Sequence, residues 1–187
     1  LGPVSMATYK AHKLGIMSVF AAGNSGPGED SHNPYAQIPW GISVGAGDKT
    51  GKLADFSSRG LASESGTFTM PDGTEWTYNN DVTIVAPGVD IISTRASTNL
   101  AANGGDADLA AIEPEYIPFY TMISGTSMAT PHVAGIIALM LEANPELDNL
   151  TIKKLLQESA TNMPGYERWE MGAGYVNAKA AVAASLN

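Results

Sequence analysis

The sequence predicts an α/β fold around a mainly parallel sheet, on three observations. Apolar runs of strand length alternate with segments of helical length along the chain. Two of those runs, Ile16 to Ala22 and Gly41 to Ala46, carry almost no charge, as strands buried on both faces require. A loop rich in Gly, Pro, Asn, Asp and Ser, Gly23 to Pro39, separates them, and it is too long to be a mere connector.

Each element follows from its local chemistry. Val4 to Leu14 reads as a helix ended by Gly15, and Ile16 to Ala22 as the strand after it, half of a βαβ unit. Gly41 to Ala46 is a second buried strand. Thr67 to Tyr78 alternates β-branched and aromatic residues around Pro71-Asp72-Gly73, which predicts a surface hairpin. Asp81 to Ala86 and Asp90 to Thr94 look like a strand pair around the Pro87-Gly88 turn. Ala96 to Pro118, first small and polar, then acidic, predicts an excursion into a strand at Phe119 to Ser124. Helices are expected at about Thr126 to Ala143, Asn149 to Ala160 and Asn177 to Ala184, the last capped by Asn177. No internal repeat is visible, and the Ala/Gly-rich patch near Ala101 to Asp108 is the one biased stretch.

Composition bounds the function. A chain of 187 residues, 44% hydrophobic and 16% charged, can build one ordinary core. A net charge of -9 argues against nucleic acid or an anionic membrane surface as partner. The apolar run Val133 to Leu141 is too short to span a bilayer. With no cysteine, disulfides, thiolate metal sites and a cysteine nucleophile are excluded. Leu1 is not an initiator methionine, so the chain is expected to begin in mid-protein, with any signal peptide upstream.

The chemistry is carried by Gly125-Thr126-Ser127-Met128-Ala129-Thr130-Pro131-His132-Val133-Ala134-Gly135, a serine where a glycine turn enters an apolar helix. A serine hydroxyl becomes a useful nucleophile when it is held still, offered to a base and faced with oxyanion donors. The unpaired N–H groups of a helix's first turn can supply part of that. A bare Ser-Gly-Thr-Ser run before a helix also fits an N-cap, and the whole string decides between the two. It resembles the nucleophile segment of the subtilisin-like serine proteases, or subtilases. Ala21-Ala22-Gly23-Asn24-Ser25-Gly26-Pro27 resembles their oxyanion-asparagine segment. Ile42 to Ala46, Phe56 to Gly60, Ala86 to Val89 and Gly172 to Ala178 are further matches in the family's order.

The resemblance implies a three-layer subtilisin-like fold with a mainly parallel sheet, present in residues 1–187 as the C-terminal portion of a partial peptidase S8 catalytic domain. It implies a serine-type endopeptidase working through an acyl-enzyme at Ser127, with the Ser127 N–H and the Asn24 side chain as oxyanion donors. Leu1, Gly2, Ala22, Gly23, Asn33, Pro34 and Tyr35 are implied as walls of the substrate pocket, and Met128 as the neighbour on the leaving-group side. Protein or peptide substrates and a secreted location follow from the same resemblance.

The triad base and carboxylate are not evident. His132 lies five residues after Ser127, about 140° around a helix, and is expected to be packed and turned away. His12, between Lys10 and Lys13, is expected to be solvated, and His32 to be a surface-loop histidine, with a place bordering the substrate cleft as the alternative. In subtilases the chain order is Asp, His, Ser, so base and carboxylate are expected before residue 1. The chain alone is then expected to be inactive, to need the missing N-terminal part of the same domain, and to self-associate through the exposed edge at Ile16 to Ala22. No cofactor is required for the chemistry. Structural calcium is compatible, with Asp106-Ala107-Asp108 the nearest approach to a ligand loop among Asp48, Asp81, Asp90, Asp106 and Asp108, though no EF-hand-type spacing occurs. Two other readings stay open: a different acyl-transfer hydrolase on this scaffold, and a non-catalytic subtilase-like module binding a peptide or a partner.

Overall fold

The computed structural model describes residues 2–96, 98 and 105–186. Leu1 and residues 101–104 of the Ala/Gly-rich patch lie outside these residues. Helix α1 spans Pro3–Lys13, with Pro3 at the first helical position, where a missing N–H removes no helical bond. The strands β1 (Val19–Ala21), β2 (Ile42–Gly47) and β5 (Ile84–Pro87) form a parallel sheet in the order β1-β2-β5. The antiparallel hairpin β3 (Ser65–Thr69) with β4 (Glu75–Asn79) lies between β2 and β5 in sequence. A second antiparallel ribbon pairs β6 (Ile91–Thr94) with β7 (Tyr120–Ile123), and α2 (Asp106–Ala111) falls between them. The helices α3 (Thr126–Ala143), α4 (Asn149–Glu158), α5 (Arg168–Met171) and α6 (Ala178–Ser185) complete the order.

Alternation along the parallel strands builds the layers. Ile42, Val44 and Ala46 of β2 and Ile84 and Ala86 of β5 face one way, onto Ala129, Val133, Ile136, Ile137 and Met140 of α3 with Ile152, Leu156 and Ala181 behind. Phe20 turns the other way, joining Tyr9 of α1, Ile38, Trp40 and Met70. The sheet is thus sandwiched between α3 with its partners and α1 with the β3-β4 hairpin, the layered arrangement anticipated.

Four expectations are corrected. The first strand is confined to Val19–Ala21, and Ile16 is 57% exposed, its N–H still bonded back to Ala11 O of α1, so that the contact with β2 begins only at Ser18 O, which accepts from Ile42 N at 2.9 Å. The segments around Pro87-Gly88 do not pair with each other: β5 joins β2 and β6 joins β7, the turn carrying the chain from one sheet to the next. The hairpin is not merely a surface feature. Its inward residues Phe68, Met70 and Trp76 cover the Tyr9–Trp40 cluster, and Asp72 at its tip accepts bonds from Tyr9 Oη (3.0 Å) and Lys13 Nζ (2.6 Å). For that reason His12 is not a solvated residue. It is half-buried, stacked on Tyr9 and met edge-on by Trp76 at 5.5 Å, and burial lowers its pKa.

Asn177 caps α6 as expected, accepting from Ala180 N–H at 3.0 Å. Asp148 caps α4 in the same way through Thr151 N–H at 2.8 Å, so that this helix begins at Asn149. No helix among the described residues is long and apolar enough to cross a membrane.

Candidate functional site

Ser127 stands exposed in the first turn of α3, after Gly125 as the N-cap. The backbone N–H groups of that turn are almost all engaged. Thr126 N donates to Asn24 Oδ1, and Met128 N and Ala129 N both donate to Gly125 O. Among the described residues the Ser127 N–H has no acceptor. Pro131 brings no N–H to the carbonyl four residues before it, that of Ser127, so the backbone at this serine is the least tied part of the turn.

Asn24 follows β1 directly and reaches this turn. Its Oδ1 accepts from Thr126 N and from Thr126 Oγ1, each at 2.9 Å. The same hydroxyl accepts from Gly23 N at 3.2 Å. Thr126 is completely buried and is therefore the bolt between the end of β1 and the start of α3. Sequence alone assigns it no role, since a threonine before a helix signals only a cap. With Oδ1 so used, Asn24 Nδ2 points toward the space over Gly125, where a Cβ would lie 3.5 Å from Nδ2 and 3.4 Å from Met128 Sδ. Any side chain at position 125 would fill the gap between the amide and the serine turn.

A second set of bonds holds the Asn24 loop. Gly23 O accepts from Ser58 N (2.9 Å), Ser25 N donates to Ser58 Oγ (3.0 Å) and Gly26 N to Phe56 O (2.9 Å). Gly23 has φ of +110°, and an added Cβ would meet Ser58 Oγ at 2.7 Å, so glycine is required there on both counts.

The predicted pocket walls divide. Asn33 folds back on the end of β1, its N bonding Ala22 O at 2.7 Å and its Nδ2 bonding Ala21 O at 3.0 Å, so Ala22, Gly23 and Asn33 adjoin. Tyr35 N closes a turn on Asn33 Oδ1 (3.1 Å), and the Tyr35 side chain is 55% exposed beside exposed Pro34. Gly2 is exposed at the start of α1, where its O accepts from Met6 N at 3.1 Å, and a Cβ added there would meet nothing within 4 Å. Leu1 lies outside the described residues.

None of the three histidines bonds to Ser127, and the structure revises two more of their expected settings. His132 is exposed rather than packed, its Nδ1 turned back to Met128 O at 2.8 Å, because its side of α3 faces away from the sheet. His32 is 5% exposed rather than on the surface. Its Nδ1 lies 2.9 Å from Asn80 Oδ1 and its Nε2 2.5 Å from Ser43 Oγ. Asn80 Nδ2 donates to Glu64 at 2.6 Å, which leaves Asn80 Oδ1 as an acceptor and makes His32 Nδ1 the donor. Burial pushes the His32 pKa down and keeps the ring neutral.

The Asp106-Ala107-Asp108 segment does not present a free ligand set. Asp108 is buried and ion-paired with Arg95, and its oxygens also accept from Thr121 Oγ1 (3.1 Å) and Met122 N (2.6 Å). No group of three or more His, Asp or Glu side chains able to hold a metal occurs among the described residues.

Residues 2–176 match the profile of the subtilase family, Peptidase S8. The chain is 32% identical over 178 residues to M-protease of Shouchella clausii, covering 95% of this chain and 36% of that protein. It is also 32% identical to Subtilisin Savinase of Lederbergia lenta, covering 95% of this chain and 50% of the other. Among solved structures it resembles sphericase, with a TM-score of 0.68 and 31% identity over 92% of this chain and 51% of that one. The prenylagaramide maturation protease PagA gives a TM-score of 0.69 at 25% identity, covering 98% and 55% of the two chains. These likenesses place the chain in the class of subtilisin-like α/β folds. Within that class, the chain belongs to the subtilase family. It spans about a third to a half of the length of the relatives it matches.

Proposed function

We propose that the protein carrying this chain is a serine endopeptidase in which Ser127 is the nucleophile and Asn24 Nδ2 and the Ser127 N–H bind the oxyanion. The observation that supports the reading is that the N–H of an exposed serine and the neighbouring Asn24 Nδ2 have no acceptor among the described residues, with the amide orientation fixed by Thr126. Ser127 Oγ attacks the scissile carbonyl carbon, its proton passing to a histidine outside this chain. The carbonyl oxygen, now negative, is met by both donors. Collapse of that adduct expels the amine, which takes the proton from the histidine, and leaves an ester on Ser127 that water then hydrolyses.

In this reading the chain is the C-terminal part of a catalytic domain, the base and its carboxylate come from the rest of the protein, and that protein is secreted. Ala22, Gly23 and Asn33 form the substrate wall, and no cofactor takes part in the chemistry.

Labelling of the full-length protein with a fluorophosphonate, followed by peptide mapping, tests the nucleophile. Ser127 should carry the label and Ser127→Ala should abolish both labelling and peptide hydrolysis. A full-length protein that binds peptides yet neither hydrolyses them nor labels at Ser127 would support a binding module instead. Asn24→Ala should lower kcat while leaving KM nearly unchanged, because the amide meets a charge present only in the transition state. A defect confined to KM would assign Asn24 to ground-state binding.

A further inference from the structure

Lys153 of α4 has an unusual setting for an ammonium group. Its Nζ is drawn inward and donates to two backbone carbonyls, Pro39 O and Gly41 O, both at 2.8 Å. No carboxylate pairs with it among the described residues. The cavity beside it, about 210 Å³, lies between the Ala36–Pro39 turn, the segment 77–83 and the helices α4 and α5. None of the predicted nucleophile, oxyanion or pocket-wall residues lines it.

Arg168 closes the opposite side. Its Nε donates to Asp81 at 3.2 Å, and its two terminal nitrogens have no acceptor among the described residues. Two cations thus share one polar cavity against the single carboxylate of Asp81, with Gln37, Thr77 and Gln157 as neutral donors and acceptors around them. Burial, with the nearby Arg168 charge adding to it, lowers the Lys153 pKa to about 8. At about 30 Å³ per water molecule the space holds several waters, or one small anion with part of its hydration shell.

We propose that this cavity is a binding site for a small oxyanion of the phosphate class, bridging Lys153 Nζ and the terminal nitrogens of Arg168. The guanidinium offers a planar fork that matches two oxygens, and Lys153 offers a point charge from the cavity floor. A bound anion would relieve the repulsion between the two cations and tie the 36–39 turn to α4 and α5. That turn continues from Asn33, Pro34 and Tyr35, so occupancy would stiffen the segment next to the proposed substrate wall.

Titration of the full-length protein with inorganic phosphate, at ionic strength held constant with sodium chloride, tests this. Saturable binding is expected in wild type, weakened at least tenfold in Arg168→Gln, whose exposed side chain can be replaced without disturbing the core. Lys153→Met should weaken it comparably if that variant folds. Independently of any variant, the Lys153 resonance in ¹³C-lysine-labelled protein should titrate at higher pH with phosphate than with chloride. Binding no stronger than chloride's, an Arg168→Gln variant that binds like wild type, or a Lys153 titration indifferent to phosphate would each overturn the proposal.

Discussion

Asn24 Oδ1 and Thr126 are joined by two hydrogen bonds of 2.9 Å, one from the backbone N–H and one from the hydroxyl. A backbone N–H can only donate, so the atom it meets must be the amide oxygen, and Nδ2 must face the other way. The orientation of the amide is therefore set by the first residue of α3. Thr126 acts on the proposed chemistry by positioning, since it reaches the amide and not the reacting atoms.

Thr126→Val removes the hydroxyl while keeping the shape of the side chain. One bond to Asn24 is lost, and Gly23 N loses its acceptor. A loss of about 1–2 kcal/mol in stability is expected from the deleted bonds. In the full-length enzyme kcat should fall on the order of tenfold, about 1.4 kcal/mol in barrier height, with KM little changed. Thr126→Ser, which keeps the hydroxyl, should restore most of the rate. A serine variant no better than the valine variant would show that only the packing of Thr126 matters.

Gly88→Ala should disturb the same turn from below. Gly125 N donates to Gly88 O at 2.7 Å, and a Cβ on Gly88 would meet Ala46 Cβ at 2.6 Å and Gly125 O at 2.8 Å. Neither neighbour is the end of a flexible side chain, so β5 and the Gly125 turn must separate. Overpacking of this kind costs about 1–3 kcal/mol. Thermal unfolding should show the loss, and activity should fall further than stability alone explains. A variant with unchanged unfolding temperature and activity would mean that β5 and the turn can part without cost.

The path from sequence to these contacts is uneven, for physical reasons. Long helices with one apolar face and a serine after a glycine turn are local patterns, and α3 begins and ends where its residues predict. The partner of β5 is not local. Nothing in Asp81 to Thr94 distinguishes a hairpin from a chain that leaves one sheet for another, since both need a turn at Pro87-Gly88. The settings of His12 and His32 escape the sequence for the same reason. Their neighbours in sequence are polar, while Trp76 and Asn80, which enclose them, arrive from 64 and 48 residues away. Thr126 is silent in the sequence because its role exists only once Asn24 has been brought to it.

His32 makes stability depend on pH. Its folded pKa is lowered from 6.5, so below about 6.5 the unfolded chain binds the proton more readily than the folded one. The stability this neutral ring supports is present above that value and is lost as pH falls from 6.5 toward the folded pKa, by at most about 1.4 kcal/mol per pH unit. His12 is shifted in the same direction and adds to the slope. Urea unfolding at about pH 7.5, 6.5 and 5.5 should show the decline, and His32→Gln should flatten part of it. An unchanged slope in His32→Gln would place the dependence elsewhere.

Asp108→Ala should be the most damaging of these substitutions. The Asp108 and Arg95 side chains are 2% and 5% exposed, and Asp108 also accepts from Thr121 and from the backbone of Met122. Removing the carboxylate breaks the ion pair with Arg95 and leaves the Met122 N–H of β7 without its acceptor. Breaking a buried pair from one side costs about 3–5 kcal/mol. Because β7 runs through Ser124 into Gly125 and α3, loosening at Met122 should reach the serine turn, and full-length activity should fall with stability. Replacing both partners, Arg95→Met with Asp108→Leu, removes both charges of the pair together and should recover a large share of the loss. Chemical denaturation of the single and double variants decides it, and a double variant as unstable as Asp108→Ala would show that the hydrogen bonds to β7, not the charge pairing, fasten α2 to the ribbon.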